Sequence, residues 1–290
     1  MRSSLRTFVE LFLLPGMAAI LPWRLCFMLF RRMARSRYLY PEVEWMVRGA
    51  REAGALGNEQ EWRSALRLTR IFSYADLYLS LFRGKRWMEK YVDVTGAWPD
   101  GPFLAVTYHW GAGLWALRHL AALGTKTKFL SIRFDRATFQ NSRLRYWYGL
   151  LRTRETSRAG GDAGIIFTGG SRAEISQALK EDVCVMALFD VPPGPDQASA
   201  PAFLFGRPAR VRPGLANLAA AEKIPVVAFR MNLDRDSGRL KLHIDQVTRD
   251  GSEAELLELL VAGFRAAIDD DPCSWHSWSE VQCYFDKGGE

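Results

Sequence analysis

Between positions 62 and 82 apolar residues recur at intervals near 3.6: Trp62, Leu66, Leu68, Ile71, Ala75, Tyr78, Leu79 and Phe82. That spacing lays one stripe of a helix against a core. The span 42–94 as a whole predicts helices, with Gly54 and Gly57 interrupting an earlier one. After the turn-forming run Trp98-Pro99-Asp100-Gly101-Pro102 the period changes, and short apolar runs alternate with helical stretches. Strands are expected at 103–107, 128–132, 164–167, 183–189, 209–212, 226–232 and 240–245, and helices at 113–123, 139–151, 171–181, 213–222 and 253–269. The fold class is therefore α/β, a mixed and mostly parallel sheet flanked by helices, in a single domain spanning 41–290 with a helical N-terminal part. No internal repeat is present.

The start of the chain follows a different pattern. Residues 8–30 are mostly apolar, yet Glu10, Pro15, Gly16, Pro22 and Arg24 interrupt them too often for a clean span of ~20 residues. A short apolar region followed by a small-residue cleavage site is missing, so a removed signal peptide is not expected. Arg31, Arg32, Arg35 and Arg37 come next, and a basic cluster beside an apolar segment suits a helix lying in an anionic interface. Each such cation adds ~1 kcal/mol near that surface. Residues 1–40 thus read as an interfacial membrane-anchoring helix; the competing reading packs their apolar side chains on the protein's own core.

Composition narrows the partners. With 48% hydrophobic and 24% charged residues in 290, the chain can bury a large core and is not disordered. The net charge of +7, from 39 basic and 32 acidic residues, favours anionic partners such as phospholipid surfaces. No RNA-binding signature or zinc-finger spacing appears, so no nucleic acid is expected. The four cysteines lack metal-ligand spacing, and neither a metal nor a cofactor is expected. Arg63, Arg67 and Arg70 share a helix face, either a solvated stripe or one turned to phosphate.

The informative segment runs from Phe103 to Gly113, where a buried strand ends at Tyr108-His109-Trp110-Gly111 and a glycine turn opens a helix. Such a junction presents a side chain at the carboxyl edge of a sheet, where α/β proteins bind ligands. A histidine there, with an unperturbed pKa of ~6.5, can take a proton from a hydroxyl. A purely structural histidine is the alternative.

The stretch from Asp100-Gly101-Pro102 to His109-Trp110-Gly111 is accompanied, in order, by Ser131-Ile132-Arg133, Phe189-Asp190, Phe203 to Ala209, Pro213 to Ala216, Lys223 to Val227, and a closing segment from Asp271 to Trp278. This ordered set resembles the bacterial lipid A late acyltransferases, the lauroyl and myristoyl transferases of the lysophospholipid acyltransferase superfamily, over nearly the whole chain. The resemblance implies transfer of a fatty acyl chain from an acyl-carrier-protein or coenzyme A thioester to an amphiphilic lipid or glycolipid acceptor, at the cytoplasmic face of the inner membrane. His109 would be the general base, with no covalent enzyme intermediate.

One position departs from the family pattern. An acidic residue is expected five positions after the histidine, and Leu114 stands there. Either another acid substitutes, with Asp190 preferred because it ends a predicted strand, or His109 is held by a backbone carbonyl. A relative that binds acyl chains or organises partners at the membrane without catalysis is the further reading that Leu114 leaves open. The resemblance also implies oxyanion donors from the backbone around Trp110 and Gly111, and a phosphate or oxyanion contact from Arg133, whose alternative is a surface ion pair with Asp135. Arg207, Arg210 and Arg212, beside Gly206, are expected to share one face of a strand near the active site, either facing an acidic carrier or a phosphorylated glycolipid or forming a plain solvated strand.

Overall fold

The computed structural model describes residues 2–194, 197–247 and 251–285. Helices α1 (Arg2–Phe8), α2 (Leu14–Ile20), α3 (Trp23–Met33), α4 (Val43–Glu52), α5 (Glu59–Phe82) and α6 (Gly84–Tyr91) come first, with a π-helical turn, Val9–Leu13, between α1 and α2. The long apolar stripe of α5 explains its length. Asn58 starts it, its side chain accepting hydrogen bonds from the Gln60 and Glu61 amides at 3.1 and 3.2 Å.

The rest of the chain alternates strands and helices: β1 (Val92–Thr95), β2 (Leu104–Thr107), α7 (Leu114–Ala122), β3 (Thr127–Ser131), α8 (Arg143–Ala159), β4 (Ile165–Phe167), α9 (Arg172–Lys180), β5 (Cys184–Leu188), β6 (Ala200–Leu204), β7 (Arg207–Val211), α10 (Gly214–Glu222), β8 (Val226–Leu233), β9 (Leu240–Val247) and α11 (Glu253–Asp270). Seven strands form one sheet in the order β1-β9-β8-β2-β5-β3-β4. All neighbours are parallel except β8 and β9. The central β2 is buried along its whole length and β5 along nearly all of it, because helices cover both faces, which is why their sequences are continuous apolar runs rather than alternating ones.

Each predicted strand and helix of the second half is present. Two strands were not legible. β1 continues an amphipathic helical run and is a four-residue edge strand, too short to establish a period of its own. β6 contains Pro201, which a central strand excludes, but it pairs only with β7 in a separate two-stranded hairpin.

The first 40 residues do not form a single helix. They are three helices and the π turn, and one side of them enters the same core as the sheet: Leu14, Ala18, Trp23, Cys26, Phe27 and Phe30 are all buried there. Glu10 lies within this packing and accepts from the Tyr40 amide at 2.7 Å, while the Tyr40 hydroxyl donates to the Glu10 carbonyl at 2.8 Å. The other side stays uncovered, with Leu5, Phe8, Leu13, Ile20, Leu25 and Met28 exposed. Among the described residues no helix is long and apolar enough to cross a membrane.

Between α5, α7 and α8 the buried Glu155 accepts from Ser80 at 2.6 Å and from Arg158 at 2.6 Å, and it closes on Arg118 as well. Burial alone would raise its pKa, but the hydrogen bonds from Arg158, Ser80 and Arg118 outweigh that and hold it below the usual range. Its contribution to stability is therefore present above the unfolded carboxylate pKa and is lost as pH falls through the lower folded value. Removing one partner of a buried charged cluster costs about 3–5 kcal/mol. Glu155→Ala should lower the unfolding free energy by that order in a urea titration, whereas Glu253→Ala, in an exposed first turn, should change it by less than about 1 kcal/mol.

Candidate functional site

The site begins with strand register. Thr107, the last residue of β2, lies opposite Leu188, the last residue of β5. Two residues further along each parallel strand are His109 and Asp190. The Phe189 amide donates to the Thr107 carbonyl at 2.8 Å, carrying the pairing one step beyond the strands. Both side chains thus emerge together at the carboxyl edge of the sheet.

Asp190 is fully buried at its side chain while His109 keeps 41% of its side-chain surface. The carboxylate accepts the His109 amide on both oxygens at 2.8 Å and the Trp275 indole N–H at 2.6 Å. Its Oδ1 also lies 3.1 Å from His109 Nδ1. A carboxylate at Nδ1 selects the Nδ1–H tautomer and leaves the Nε2 lone pair free. Burial is the largest influence on the imidazole and by itself lowers its pKa. The attraction and hydrogen bonding of Asp190 outweigh it, with a smaller pull from Glu280, so the ring titrates above its ordinary 6.5.

The turn after His109 is locked by the C-terminal segment. Trp110 forms an antiparallel bridge with Trp275; the His276 amide donates to the His109 carbonyl at 2.8 Å and the Gly111 amide to the Ser274 carbonyl at 3.2 Å. Gly111 has φ +45°, and a Cβ there would lie 2.2 Å from the Met231 carbonyl oxygen, so only glycine fits. One expectation, a backbone oxyanion donor at Gly111, is corrected here. The Gly111 amide is already engaged and is not a free oxyanion donor. Trp110 is buried, with its indole N–H donating to Asn232 at 2.9 Å, so its ring is part of the core.

Leu114 begins α7 and is buried. Its amide donates to Asp76 Oδ2 at 3.2 Å, so a carboxylate from α5 caps the helix at the position where the resembled family carries an acidic side chain. Asp76 is itself buried, and desolvation raises its pKa to about 6 against the opposing pull of Arg152. The Arg152 guanidinium lies 3.6 Å from Asp76 Oδ2.

Arg152 also borders a cavity of about 290 Å³ between α5, α8 and the ends of β3 and β4, lined mainly by aromatic and aliphatic groups including Tyr74, Phe129, Phe134, Tyr148 and Ile165. That volume is at the small end of the range for ligand pockets, roughly 300–1,000 Å³. Through Arg152 and Asp76 it connects to the turn that carries His109.

The remaining expected residues are dispersed. Arg133 is exposed at the edge of β3, its guanidinium 4.4 Å from the centre of the Phe167 ring. Gly206 forms the tip of the β6–β7 hairpin at φ +72°. Arg207, Arg210 and Arg212 do not share a face: strand alternation separates 207 from 210, and Arg212 lies beyond the end of β7. Arg207 stacks on Phe285 at 3.9 Å, Arg210 donates to the Ser199 hydroxyl at 2.8 Å, and Arg212 donates to the Pro192 carbonyl at 3.0 Å. Sequence reasoning gave no role to Asp76, Arg152 or His276. His276 sits inside the closing segment from Asp271 to Trp278, and only its proximity to a tryptophan-rich motif marked it. Among the described residues no group of three or more His, Cys, Asp and Glu side chains is arranged to hold a metal ion.

An NMR titration of the His109 ring should give a midpoint above 6.5 in the wild type and below 6.5 in Asp190→Asn, because only the smaller pull of Glu280 then opposes burial. The stability that the ion pair contributes is complete below 6.5 and is lost as pH rises through the folded midpoint. Equal midpoints in the two proteins would remove Asp190 as the cause. A scan of protein-family models and a search of curated proteins find no match to this chain, so the site rests on its own geometry.

Proposed function

We propose that this protein is an acyltransferase at a membrane surface, a relative of the bacterial lipid A late acyltransferases in which Asp190 takes the part of the acid missing at Leu114. The observation that carries this reading is the 3.1 Å contact between His109 Nδ1 and a buried carboxylate. That contact leaves Nε2 basic on a side chain that remains accessible. In the reaction, an acyl-carrier-protein or coenzyme A thioester binds with its chain in the aromatic cavity beside Arg152. His109 Nε2 takes the proton of an acceptor hydroxyl or amine, and the freed nucleophile attacks the thioester carbonyl. Asp190 stabilises the imidazolium that forms. The tetrahedral intermediate collapses to release the thiol, which recovers the proton from His109.

The uncovered face of the N-terminal helices supports membrane docking at the cytoplasmic side of the inner membrane. On α3 the exposed residues Arg24, Leu25, Met28, Arg31 and Arg32 follow helical spacing along one face, mixing aliphatic groups with cations. The competing idea of a catalytically silent acyl-chain binder drew on Leu114 alone; Asp190 weakens that ground, and turnover separates the two.

Purified protein should transfer a labelled acyl group from a carrier-protein or coenzyme A thioester to an amphiphilic acceptor, and His109→Ala should lower the rate about 10²–10⁴-fold. Transfer unaffected by that substitution would remove the mechanism. Replacing Phe8, Leu25 and Met28 together by serine should reduce co-sedimentation with anionic vesicles while leaving the folded circular dichroism spectrum intact. Thr153→Phe, which fills part of the cavity lining, should shift donor preference towards shorter chains.

A further inference from the structure

Arg70 on α5 and Arg152 on α8 are recessed groups that water still reaches. Loss of solvent is the largest single influence on each guanidinium, yet Tyr74 and Glu42 at Arg70, and Tyr148 and Asp76 at Arg152, outweigh it and raise both pKa values; the side chains keep 24% and 32% of their surface. Elsewhere on α5 a buried arginine closes directly on a carboxylate, Arg67 on Glu44 at 2.7 Å. Arg70 and Arg152 do not. Their carboxylates, Glu42 and Asp76, stand 3.6 Å away in both cases, beyond hydrogen-bond reach. Asp76 Oδ2 is already taken by the Leu114 amide. Arg152 donates to the Ser73 carbonyl at 2.9 Å and to the Tyr148 hydroxyl, and the buried Nε of Arg70 has no partner.

A third side chain, His276, lies within electrostatic reach of both guanidiniums. His276 Nδ1 is buried without a partner. Burial first, and then the positive charges of Arg70, His109 and Arg152, push the pKa of His276 well below its ordinary value. The ring is therefore neutral, and among its strongest charged neighbours cations predominate. Guanidiniums with spare donors within electrostatic reach of a neutral imidazole are suited to a ligand that brings acceptor oxygens and a negative charge.

We propose that Arg70 and Arg152 form a subsite for a phosphate group carried by a molecule that reacts at His109, with His276 Nδ1 accepting a hydroxyl from the same group. The subsite rests on the acyltransferase reading only for the role of the bound molecule. The phosphate can come from the acceptor headgroup or from the phosphopantetheine arm of the donor.

Inorganic phosphate titrated into the full-length protein and followed by calorimetry is the direct test. Wild type should bind it, Arg70→Gln and Arg152→Gln should each weaken binding by tenfold or more, and Arg48→Gln, whose side chain stacks on the exposed Trp45, should not. Arg70→Lys and Arg152→Lys serve where a glutamine variant fails to fold, and they should retain part of the affinity. Competition by glycerol 3-phosphate but not by 4′-phosphopantetheine assigns the group to the acceptor, and the reverse pattern assigns it to the donor. Absence of phosphate binding in the wild type, or equal affinity in folded glutamine variants, overturns the subsite. Phosphate bound through these arginines by a protein that transfers no acyl group would overturn the acyltransferase reading and leave the subsite standing.

Discussion

The pairing register of β2 and β5 is the constraint on which the site depends. Parallel strands in register deliver equivalent positions to the same edge, so Thr107 opposite Leu188 brings His109 and Asp190 side by side. A shift of one residue would turn one of the two side chains to the opposite face of the sheet. The buried Asp190 carboxylate then gathers the ends of two strands and the C-terminal segment, because it accepts from the His109 amide and the Trp275 indole while facing the imidazole. An ionised carboxylate removed from water is tolerable only with such donors. The same contacts that make its burial possible fix the orientation of the histidine.

The C-terminal segment is therefore part of the site rather than a tail. The Trp110–Trp275 bridge consumes the Gly111 amide and holds the His109 carbonyl, while Asp190 holds the ring at Nδ1 and leaves Nε2 free. On the opposite side, Asp76 caps α7 and draws Arg152 towards the aromatic cavity. Strand ends, a capped helix and a recessed cavity thereby meet within one neighbourhood.

Much of this was legible in the sequence. Continuous apolar runs bounded by turns identified the buried strands, and His109 at a strand–glycine junction was recognisable as a group at the sheet edge. Asp190 could be preferred because it, too, ends a strand. The register between those strands could not be read, since it is set by packing of the whole sheet. Arg152 and His276 were hidden for a related reason: they lie on elements distant in sequence, and nothing local distinguishes a recessed arginine from a solvated one. Of the two readings of the N-terminal segment, packing on the protein's own core describes one face of it. The helical path breaks at Leu21 and Pro22, while Pro15 and Gly16 lie inside α2, and the resulting helices bury some apolar side chains on the core and leave others exposed.

The central claim is that Asp190 holds the proton of His109 on Nδ1 and presents a basic Nε2. Nitrogen-15 NMR of the imidazole, recorded above its titration midpoint, measures this tautomer directly. The account predicts a protonated Nδ1 and a bare Nε2 in the wild type, with the preference lost in Asp190→Ala. A ring protonated on Nε2 in the wild type would contradict it.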